Sequence, residues 1–444
     1  MVISFLRKKL STFQLIIIGF LAVILIGTIL LMLPVSVKGA GGASLEEAMF
    51  TAVSAVCVTG LIMRDTASYW SGFGQAVILV MIQIGGLGII TFAAFIAEAS
   101  GRRISLKERS TLQESISAHQ LGGLGQMTFF IFRISLITEG AGALLLLPSF
   151  CRRYGASGIW MSVFHSISAF CNAGFDIMGE KTGQFSSLTS FAADPLVIVP
   201  ICLLIVIGGV GFLTWEDIAE KKLRFHEYRM QSKAVLVTSG VLIAVPLLCL
   251  LLFEYTEGTF GERFCYSLFQ AVTPRTAGFN TTDYSAMSGV GRMMLITLML
   301  IGGSPGSTAG GMKTTTVAVL AANAVSVFRR KKSVHMFGRR VEDGTIRNAA
   351  TLLVMYLILS VVSAAVISTA DGIPVGLSLF ETASAIGTVG LSLGVTPSLG
   401  TLSHMILMLL MFAGRVGGLT LIYAALTVKS AEVAELPVEK INVG

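Results

Sequence analysis

Four times along the chain, a short semi-polar stretch that begins with Phe and ends near Gly lies between two long apolar runs. A second Gly-rich motif follows each time, inside the next apolar run. This internal period of about 110 residues indicates four copies of one unit. The stretches are FTAVSAVCVTGL from Phe50, FHSISAFCNAGF from Phe164, FQAVTPRTAGF from Phe269 and FETASAIGTVGL from Phe380, and the later motifs are QIGGLGII from Gln83, IGGVGF from Ile207, IGGSPGSTAGG from Ile301 and AGRVGGLT from Ala413.

The apolar runs around these motifs are long enough to cross a membrane. Residues 15–33 and 234–253 carry no charge, and as helices they would span the roughly 30 Å hydrocarbon core. Residues 66–97 are also uncharged and leave room for a flanking loop. Because 54% of the residues are hydrophobic and only 13% are charged, a chain of soluble domains is excluded.

We therefore predict an all-α polytopic membrane protein. Four helix–pore loop–helix repeats would take a pseudo-fourfold arrangement around one pore. The third would contain an intramembrane loop, and the fourth would end in a short cytoplasmic tail. The predicted repeats are residues 1–100, 101–220, 221–330 and 331–444.

The net charge of +7 is explained by membrane topology rather than by a surface that binds nucleic acid. Lys and Arg cluster in five segments that enclose the four predicted repeats. If all five face the cytoplasm, every repeat crosses the membrane an even number of times, in agreement with the positive-inside rule. We therefore predict a multi-pass protein of the cell (inner or plasma) membrane with cytoplasmic N and C termini. The clusters are residues 7–9, 102–109, 221–233, 329–347 and the C-terminal tail.

Each Phe-to-Gly stretch is too short and too polar to cross a bilayer. Non-helical backbone at membrane depth is tolerated only where it is buried in protein or lines water. Four short helices, each ending in an extended Gly segment, would direct backbone carbonyls toward one axis and replace the hydration shell of a cation. A neutral carbonyl ring suits a monovalent ion, whereas a calcium filter would carry carboxylates. Close helix packing by small residues is the alternative for any single glycine.

These motifs together resemble the Trk/Ktr/HKT superfamily of potassium transporters over nearly the whole chain, and most closely its bacterial Ktr-type membrane (pore) subunits. The resemblance implies a potassium-selectivity filter. Gly60 favours potassium, because sodium-preferring plant relatives carry Ser there. Cys57 and Cys171 depart modestly from the family pattern. The implied filter residues are Val58, Thr59, Gly60, Asn172, Ala173, Gly174, Thr276, Ala277, Gly278, Thr388, Val389 and Gly390.

A gate is predicted below this filter. Residues 301–314 interrupt an apolar segment with Pro and clustered Gly, which break a helix. Arg415 lies deep in the last apolar run, where a charge is costly. The resemblance implies an intramembrane gating loop and an arginine that limits cation flow; a packing kink away from the pore is the alternative. The gate residues are Gly302, Gly303, Ser304, Pro305, Gly306, Ser307, Thr308, Ala309, Gly310, Gly311 and Arg415.

The implied function is potassium uptake through this filter, gated by the loop and by a cytosolic regulatory partner. A sodium-coupled or sodium-permeable cation transporter of the same superfamily is the alternative. Potassium at the filter is the expected metal ion, sodium as a coupling or activating ion stays open, and no covalent cofactor is expected. The resemblance implies a homodimer on a cytosolic ring of nucleotide-binding regulators of the RCK (KtrA) type. Basic loops would dock that ring, membrane lipids would surround the chain, and nucleic acid is not a predicted partner.

Two local motifs resemble enzyme signatures. The G-x-S-x-G pattern around Ser304 fits a nucleophile elbow, but it follows a membrane helix, and His335 and His404 have no evident partner in the sequence. Residues 306–314 nearly match a P-loop, but Met312 disrupts the spacing. We therefore predict that the chain is not an enzyme.

The remaining polar and sulfur-containing residues of the apolar runs are interpreted as structural. The six cysteines form no CxxC pair, so we expect buried apolar side chains rather than a disulfide or metal framework. Arg133 and Glu139 share one apolar run but lie about 120° apart on a helix, so they are not predicted to pair.

Overall fold

The computed structural model describes residues 11–100, 106–115, 124–425 and 439, and its regular structure is almost entirely helical. Within these ranges, four helices are long and apolar enough to cross a membrane, or six if each of two bent helix pairs counts as one span. The prediction of an all-α polytopic membrane protein is confirmed. The repeat boundaries stay predictions, and most of both predicted cytoplasmic termini lies outside the described residues.

The first two units share one order of elements. A full-length helix leads to a short helix, which ends in a glycine segment, and a bent helix pair follows. The helices are α1 (Thr12–Met32), α2 (Leu45–Val56), α3 (Thr66–Tyr69), α4 (Gly72–Leu87), α5 (Ile89–Ala99), α6 (Leu106–Ser115), α7 (Leu124–Tyr154), α8 (Ser157–Phe170), α9 (Gly179–Thr182), α10 (Pro195–Val210) and α11 (Phe212–Lys221).

The third and fourth units follow the same order, with a longer interruption in the third. The full-length helix of the third unit ends in a π-helical turn at Leu250–Glu254. An antiparallel ribbon of two short strands precedes the fourth unit. The elements are α12 (Met230–Cys249), α13 (Phe260–Val272), α14 (Gly289–Leu300), α15 (Thr314–Phe328), β1 (His335–Met336), β2 (Arg339–Arg340), α16 (Asp343–Asp371), α17 (Val375–Gly387), α18 (Thr401–Val416) and α19 (Gly418–Ala425).

The short helices α2, α8, α13 and α17 are anchored by the Phe that opens each repeated stretch. Phe50, Phe164, Phe269 and Phe380 are all fully buried. Two of these helices begin with a capping box, in which a Ser or Thr hydroxyl and a Glu carboxylate satisfy free N–H groups reciprocally. In α2 the Ser44 N–H donates to the Glu47 carboxylate at 3.0 Å, and Thr259 and Glu262 repeat the arrangement in α13. The capping box therefore fixes the residue at which each of these two short helices begins, although the helix sequence is semi-polar.

The second helix of three units breaks at an equivalent glycine. Gly88, Gly211 and Gly417 have φ angles of 88°, 96° and 92°, a backbone region that only Gly enters easily. The bends between α4 and α5 and between α10 and α11 are 93° and 96°. Residues 66–97 therefore form three helices and a sharp bend, not one straight span with a flanking loop.

In the same three units, the first glycine of the Gly-rich motif that contains the bend allows the second helix to contact the short helix of its unit closely. An added Cβ at Gly85, Gly208 or Gly414 would overlap a carbonyl oxygen at the last turn of α2, α8 or α17 respectively. Close backbone approach through small residues is a usual way for membrane helices to pack. The bend and the end of the short helix are thus fixed relative to each other in the first, second and fourth units.

Candidate functional site

The four glycine segments, defined here as residues 58–60, 172–174, 276–278 and 388–390, share one backbone conformation. Their last residues are Gly60, Gly174, Gly278 and Gly390, all with positive φ. The residue two positions earlier is also left-handed in every segment, although none of these is Gly. Its φ is 56° at Val58, 58° at Asn172, 64° at Thr276 and 52° at Thr388.

The glycine segments form a closed ring. An added Cβ at each segment's glycine would overlap or crowd the carbonyl oxygen that precedes the glycine of another segment. The first segment meets the second in this way, the second the third, the third the fourth, and the fourth returns to the first. The pairs are Gly60 with Ala173, Gly174 with Ala277, Gly278 with Val389, and Gly390 with Thr59.

The backbone N–H groups of the segments bond to the short helices behind them. Thr59, Ala173 and Val389 each donate at 2.8 Å to the carbonyl oxygen of a Ser in their own short helix. In the third segment, Ala277 donates to the Thr273 oxygen at 2.9 Å. Within the described residues, no hydrogen bond reaches the carbonyl oxygens of the twelve segment residues. Those oxygens are therefore available to a cation or to water.

Three buried threonine hydroxyls in the ring also lack a hydrogen-bond partner in the described part of the chain, namely Thr59, Thr276 and Thr388. Buried polar atoms are normally satisfied, so such oxygens require an explanation. A dehydrated monovalent cation or the water that accompanies it would provide one, because uncharged oxygens are suitable ligands for such an ion. The donor set of the ring therefore fits a potassium ion as cargo.

One cavity of about 400 Å³ adjoins the ring, and all four segment glycines line it. We call it the filter-side cavity. Asp176 and Asp283 also line it, so its wall carries negative charge. Burial, together with the charge of Asp65, raises the pKa of Asp176 to about 6. Hydrogen bonds from the Met178 N–H and from Ser187 lower this pKa in part.

A buried carboxylate supports the fourth segment from behind. Glu381 of α17 accepts hydrogen bonds from Ser392 Oγ at 2.7 Å, Thr396 Oγ1 at 2.6 Å and Leu393 N–H at 3.0 Å. The backbone N–H and both hydroxyls follow the segment in sequence, so the carboxylate fixes the chain as it leaves the ring. Three donors satisfy the oxygens of this buried carboxyl group, as buried polar atoms normally require.

Residues 301–313, called here the interrupting loop, separate α14 from α15. The second and fourth units hold this loop through backbone hydrogen bonds. Ser304 N–H donates to Gly209 O at 3.0 Å, and Thr308 N–H donates to Gly208 O at 3.2 Å. Gly311 N–H donates to Gly414 O at 3.1 Å. The loop is therefore seated on the bend of α10–α11 and on α18.

Arg415 reaches across the site from α18. Its guanidinium donates to the carbonyl oxygens of Thr308 and Gly85, and to that of Gly86 at 3.0 Å. No carboxylate in the described ranges forms an ion pair with it. The side chain thus links the interrupting loop to the α4–α5 bend through backbone oxygens alone.

A second cavity of about 290 Å³ lies on the interrupting loop and includes Arg415 and Lys313 in its lining. We call it the loop-side cavity. It shares no lining residue with the filter-side cavity. The loop contacts the ring directly, since an added Cβ at Gly310 would overlap Thr388 Oγ1. The loop therefore adjoins both the ring and the loop-side cavity.

The structure places every predicted site residue in this assembly and adds several that sequence analysis missed. Arg275 is buried behind the third segment and donates to Ser239 Oγ at 3.0 Å. Lys313 donates to Ala309 O at 2.9 Å. Arg275 lies inside the PRTAGF stretch, and Lys313 follows the last Gly of the loop motif, so both were visible as charges inside motifs.

The structure also shows where other residues interpreted from sequence lie. Glu139 is buried and accepts a hydrogen bond from Gln83 Nε2 at 2.9 Å, whereas Arg133 is exposed. His404, for which the sequence showed no evident partner, lies 2.8 Å from Glu46 Oε1 and 2.9 Å from Thr396 O. The six cysteines are free; four are buried, and Cys151 and Cys249 are partly buried.

Comparison with known proteins decides the family. Residues 7–435 match the TrkH family, described as cation transport proteins. The chain belongs to this family. It is 37% identical to the potassium/sodium uptake protein NtpJ of Enterococcus hirae, over 95% of this chain and 94% of that protein. It is 38% identical to the Ktr system potassium uptake protein B of Bacillus subtilis, over 93% of this chain and 92% of that protein.

The fold agrees with a solved member of the same group. The crystal structure of the potassium transporter TrkH from Vibrio parahaemolyticus superposes with a TM-score of 0.71 at 19% identity, covering 92% of this chain and 85% of that chain. The family match and the two relatives described above confirm the predicted superfamily. This is a family of membrane cation transporters rather than of enzymes, so the G-x-S-x-G pattern around Ser304 has no support as a nucleophile elbow.

Proposed function

We propose that this transporter takes up potassium through a filter formed by the closed ring of the four glycine segments. The observation that carries the proposal is the ring's set of backbone carbonyl oxygens, to which no described residue donates a hydrogen bond. Neutral carbonyls can replace the water around a monovalent cation as it leaves the filter-side cavity. The charge of Asp176 and Asp283 would concentrate cations at that mouth.

Potassium rather than sodium is supported by Gly60 and by the relatives. A Ser at this position would place its side chain against Ala173 O and narrow or distort the ring. The Ktr system protein of Bacillus subtilis is named for potassium uptake. The Enterococcus hirae relative is named for potassium and sodium, which favours a sodium-coupled or sodium-permeable transporter as the second candidate.

The interrupting loop and Arg415 would form the gate of this pathway. In this proposal they close the path between the filter-side cavity and the loop-side cavity, and Arg415 holds the loop by its Thr308 carbonyl. A loop held by a few hydrogen bonds between two cavities is suited to move without unfolding the surrounding helices. Its displacement would connect the cavities.

Regulation would come from a cytosolic partner, with the transporter as a homodimer on a ring of nucleotide-binding subunits. The basic segments then face the cytoplasm, as do both termini, and the filter-side cavity faces outward. The loop between α11 and α12 presents a candidate contact, since Leu223 is 98% exposed among Lys222 and Arg224. The ribbon of β1 and β2 presents Arg339 and Arg340. Residues 102–109 are the third predicted docking loop, and residues 102–105 of it lie outside the described residues.

Growth rescue tests the proposal. The chain is expressed with a matching regulator in a bacterial strain that lacks potassium uptake systems, and growth is measured at low external potassium. We expect rescue, together with potassium uptake that exceeds sodium uptake when both ions are present. Sodium uptake of equal size would favour the second candidate. Normal membrane expression without rescue would remove the potassium assignment.

A further inference from the structure

Thr308 joins the interrupting loop to the second glycine segment through its side chain. Its hydroxyl lies 3.0 Å from Phe170 O, at the end of α8, and 3.0 Å from Asn172 Oδ1. Thr308 and Asn172 are both fully buried. One hydroxyl proton is therefore shared between two acceptors of the same unit, one at the end of α8 and one at the start of the glycine segment.

Asn172 is fixed at both ends of its amide. Its Oδ1 accepts from Thr308, and its Nδ2 donates to Arg275 O, just before the third segment, at 3.3 Å. Its backbone is left-handed, with φ of 58°, a conformation that Asn tolerates better than most residues but that still requires support. The amide therefore braces the second segment against the third and depends on the loop for one of its bonds.

The other three segments lack this link within the described residues. Val58 occupies the equivalent position in the first segment and has no hydroxyl or amide. Thr276 and Thr388 occupy it in the third and fourth segments, and their hydroxyls have no partner. The second segment is thus distinguished by a hydrogen bond that its side chain accepts from the interrupting loop.

Water has little room to replace the Thr308 hydroxyl. An added Cβ at Gly208 would overlap Phe170 O and lie 2.7 Å from Thr308 Oγ1 and 2.8 Å from Asn172 Oδ1. The α10 backbone therefore closes over the junction of the three groups. A buried acceptor that loses its donor in such a place is costly, so Asn172 would rearrange if the hydroxyl left.

Thr308 also carries the contact to Arg415. Its carbonyl oxygen accepts from the guanidinium, while its hydroxyl donates to Asn172. We propose that Thr308 is a specificity-determining, positioning residue, whose hydroxyl holds Asn172 in the filter conformation and couples potassium preference to the seating of the interrupting loop. The inference rests on the proposed function of the ring as filter and the loop as gate.

Removing only the hydroxyl tests the coupling. Thr308→Val keeps the shape of the side chain, and Thr308→Ser keeps the hydroxyl. Thr128→Val is the matched control, because Thr128 is equally buried but donates within its own helix to Leu124 O at 2.9 Å. Potassium-over-sodium preference is measured by competitive uptake in the complete system with its regulator. We expect Thr308→Val to lower the preference by about two- to tenfold, and Thr308→Ser and Thr128→Val to keep it.

A double variant provides a second readout. If loop seating sets the preference, Arg415→Gln releases Asn172 by the same route. The Thr308→Val/Arg415→Gln double variant should then keep at least the potassium-over-sodium preference of whichever single variant has the lower preference. Independent, multiplying effects of the two substitutions would contradict the coupling, as would a preference that Arg415→Gln leaves unchanged.

The outcomes separate the inference from the proposed function. A parent chain that expresses normally but takes up no potassium removes both. A parent that is active and a Thr308→Val variant with unchanged preference remove only the coupling, as does an equal loss of preference in Thr128→Val. If Thr308→Val does not accumulate in the membrane, Thr308→Ala is measured instead. Failure of both to accumulate, with Thr308→Ser normal, would assign the hydroxyl to folding and overturn the inference.

Discussion

Arg415 occupies in the fourth unit the place that Gly86 occupies in the first, and its guanidinium donates to the Gly86 carbonyl oxygen at 3.0 Å. The motif copies align as GGLG, GGVG, GGSP and GRVG, so the other counterparts are Gly209 and Gly303. Three of four equivalent positions below the ring thus have no side chain, and the fourth has a long cationic one. The long side chain at this one position makes the four copies of the motif unequal.

Arg415→Ala should raise basal cation flux. The substitution removes the donor shared by Thr308, Gly85 and Gly86, and leaves the interrupting loop held by its backbone bonds and by the Thr308 hydroxyl. Hydrogen bonds to a charged group contribute about 1.5–3 kcal/mol each, so an increase in flux of about tenfold or more without the regulator is expected. Arg415→Lys should give a smaller increase, because an ammonium keeps the charge but not the planar fork. Unaltered flux at normal expression would contradict a role in gating.

Shortening the interrupting loop should also raise basal flux. Ile301 and Met312 pair as a parallel bridge at the ends of the loop, so residues 304–310 can be replaced by a shorter Gly-containing turn between fixed ends. The replacement removes most of the proposed gate. Flux is measured beside the amount of folded transporter in the membrane. Loss of folded protein without any rise in flux per molecule would instead favour a packing role for the loop.

Gly60→Ser should lower the preference for potassium over sodium. At φ of 89° a side chain is strained, and its Cβ would overlap Ala173 O of the neighbouring segment. Gly140→Ser is the matched control, because a Cβ at Gly140 meets no atom within 4 Å. Competitive uptake of the two ions is the measurement. If both variants keep the parent's preference, Gly60 does not line the filter.

Lowering the external pH should reduce potassium uptake, because Asp176 becomes protonated. Because burial raises the pKa of Asp176 to about 6, its carboxylate is mostly ionised at external pH 7.5 and mostly protonated at pH 5.5. One charge at the mouth of a water-filled cavity is expected to change potassium affinity by about fivefold, or about 1 kcal/mol. Asp176→Asn should therefore resemble the parent at pH 5.5 and remove this part of the pH dependence.

Asp283→Asn is the control for this pH dependence. Hydrogen bonds from the Ser285 side chain and backbone hold the pKa of Asp283 below its ordinary value, so it stays ionised at both pH values. Its substitution should lower affinity similarly at pH 7.5 and 5.5. A parent affinity that does not change between these pH values would exclude Asp176 as the titrating group.

Gly211→Ala and Gly240→Ala should change thermal stability in opposite directions. At Gly211 φ is 96°, and a Cβ would lie 2.6 Å from Pro305 O, so the α10–α11 bend and the seat of the loop are both strained. We expect a loss of roughly 1–2 kcal/mol or more. Gly240 lies within α12 with no atom near a Cβ, and Ala there should add about 0.5–1 kcal/mol. Unfolding of the purified transporter in detergent is the measurement; equal effects would contradict the assigned bend.

The sequence alone was sufficient to predict the membrane class, the four repeated stretches and the superfamily. Those conclusions depend on composition, on Phe and Gly at a repeated spacing, and on motifs that are local in the chain. The burial of Phe50, Phe164, Phe269 and Phe380 agrees with that pattern, since one apolar anchor per unit is a local requirement. The break at residues 301–313 was likewise visible, because Pro and Gly act on the backbone where they stand.

Only the tertiary structure decided what these segments contact. The sharp bends at Gly88 and Gly211 were missed, because a glycine in an apolar run fits a packed straight helix as well as a bent one. Arg415 could be recognised as a buried charge, but its partners are carbonyl oxygens, which every residue carries and no sequence distinguishes. The bond between Thr308 and Asn172 joins residues from two units, and the closed ring joins all four. Such relationships arise when separate units pack together, so a motif within one unit cannot specify them.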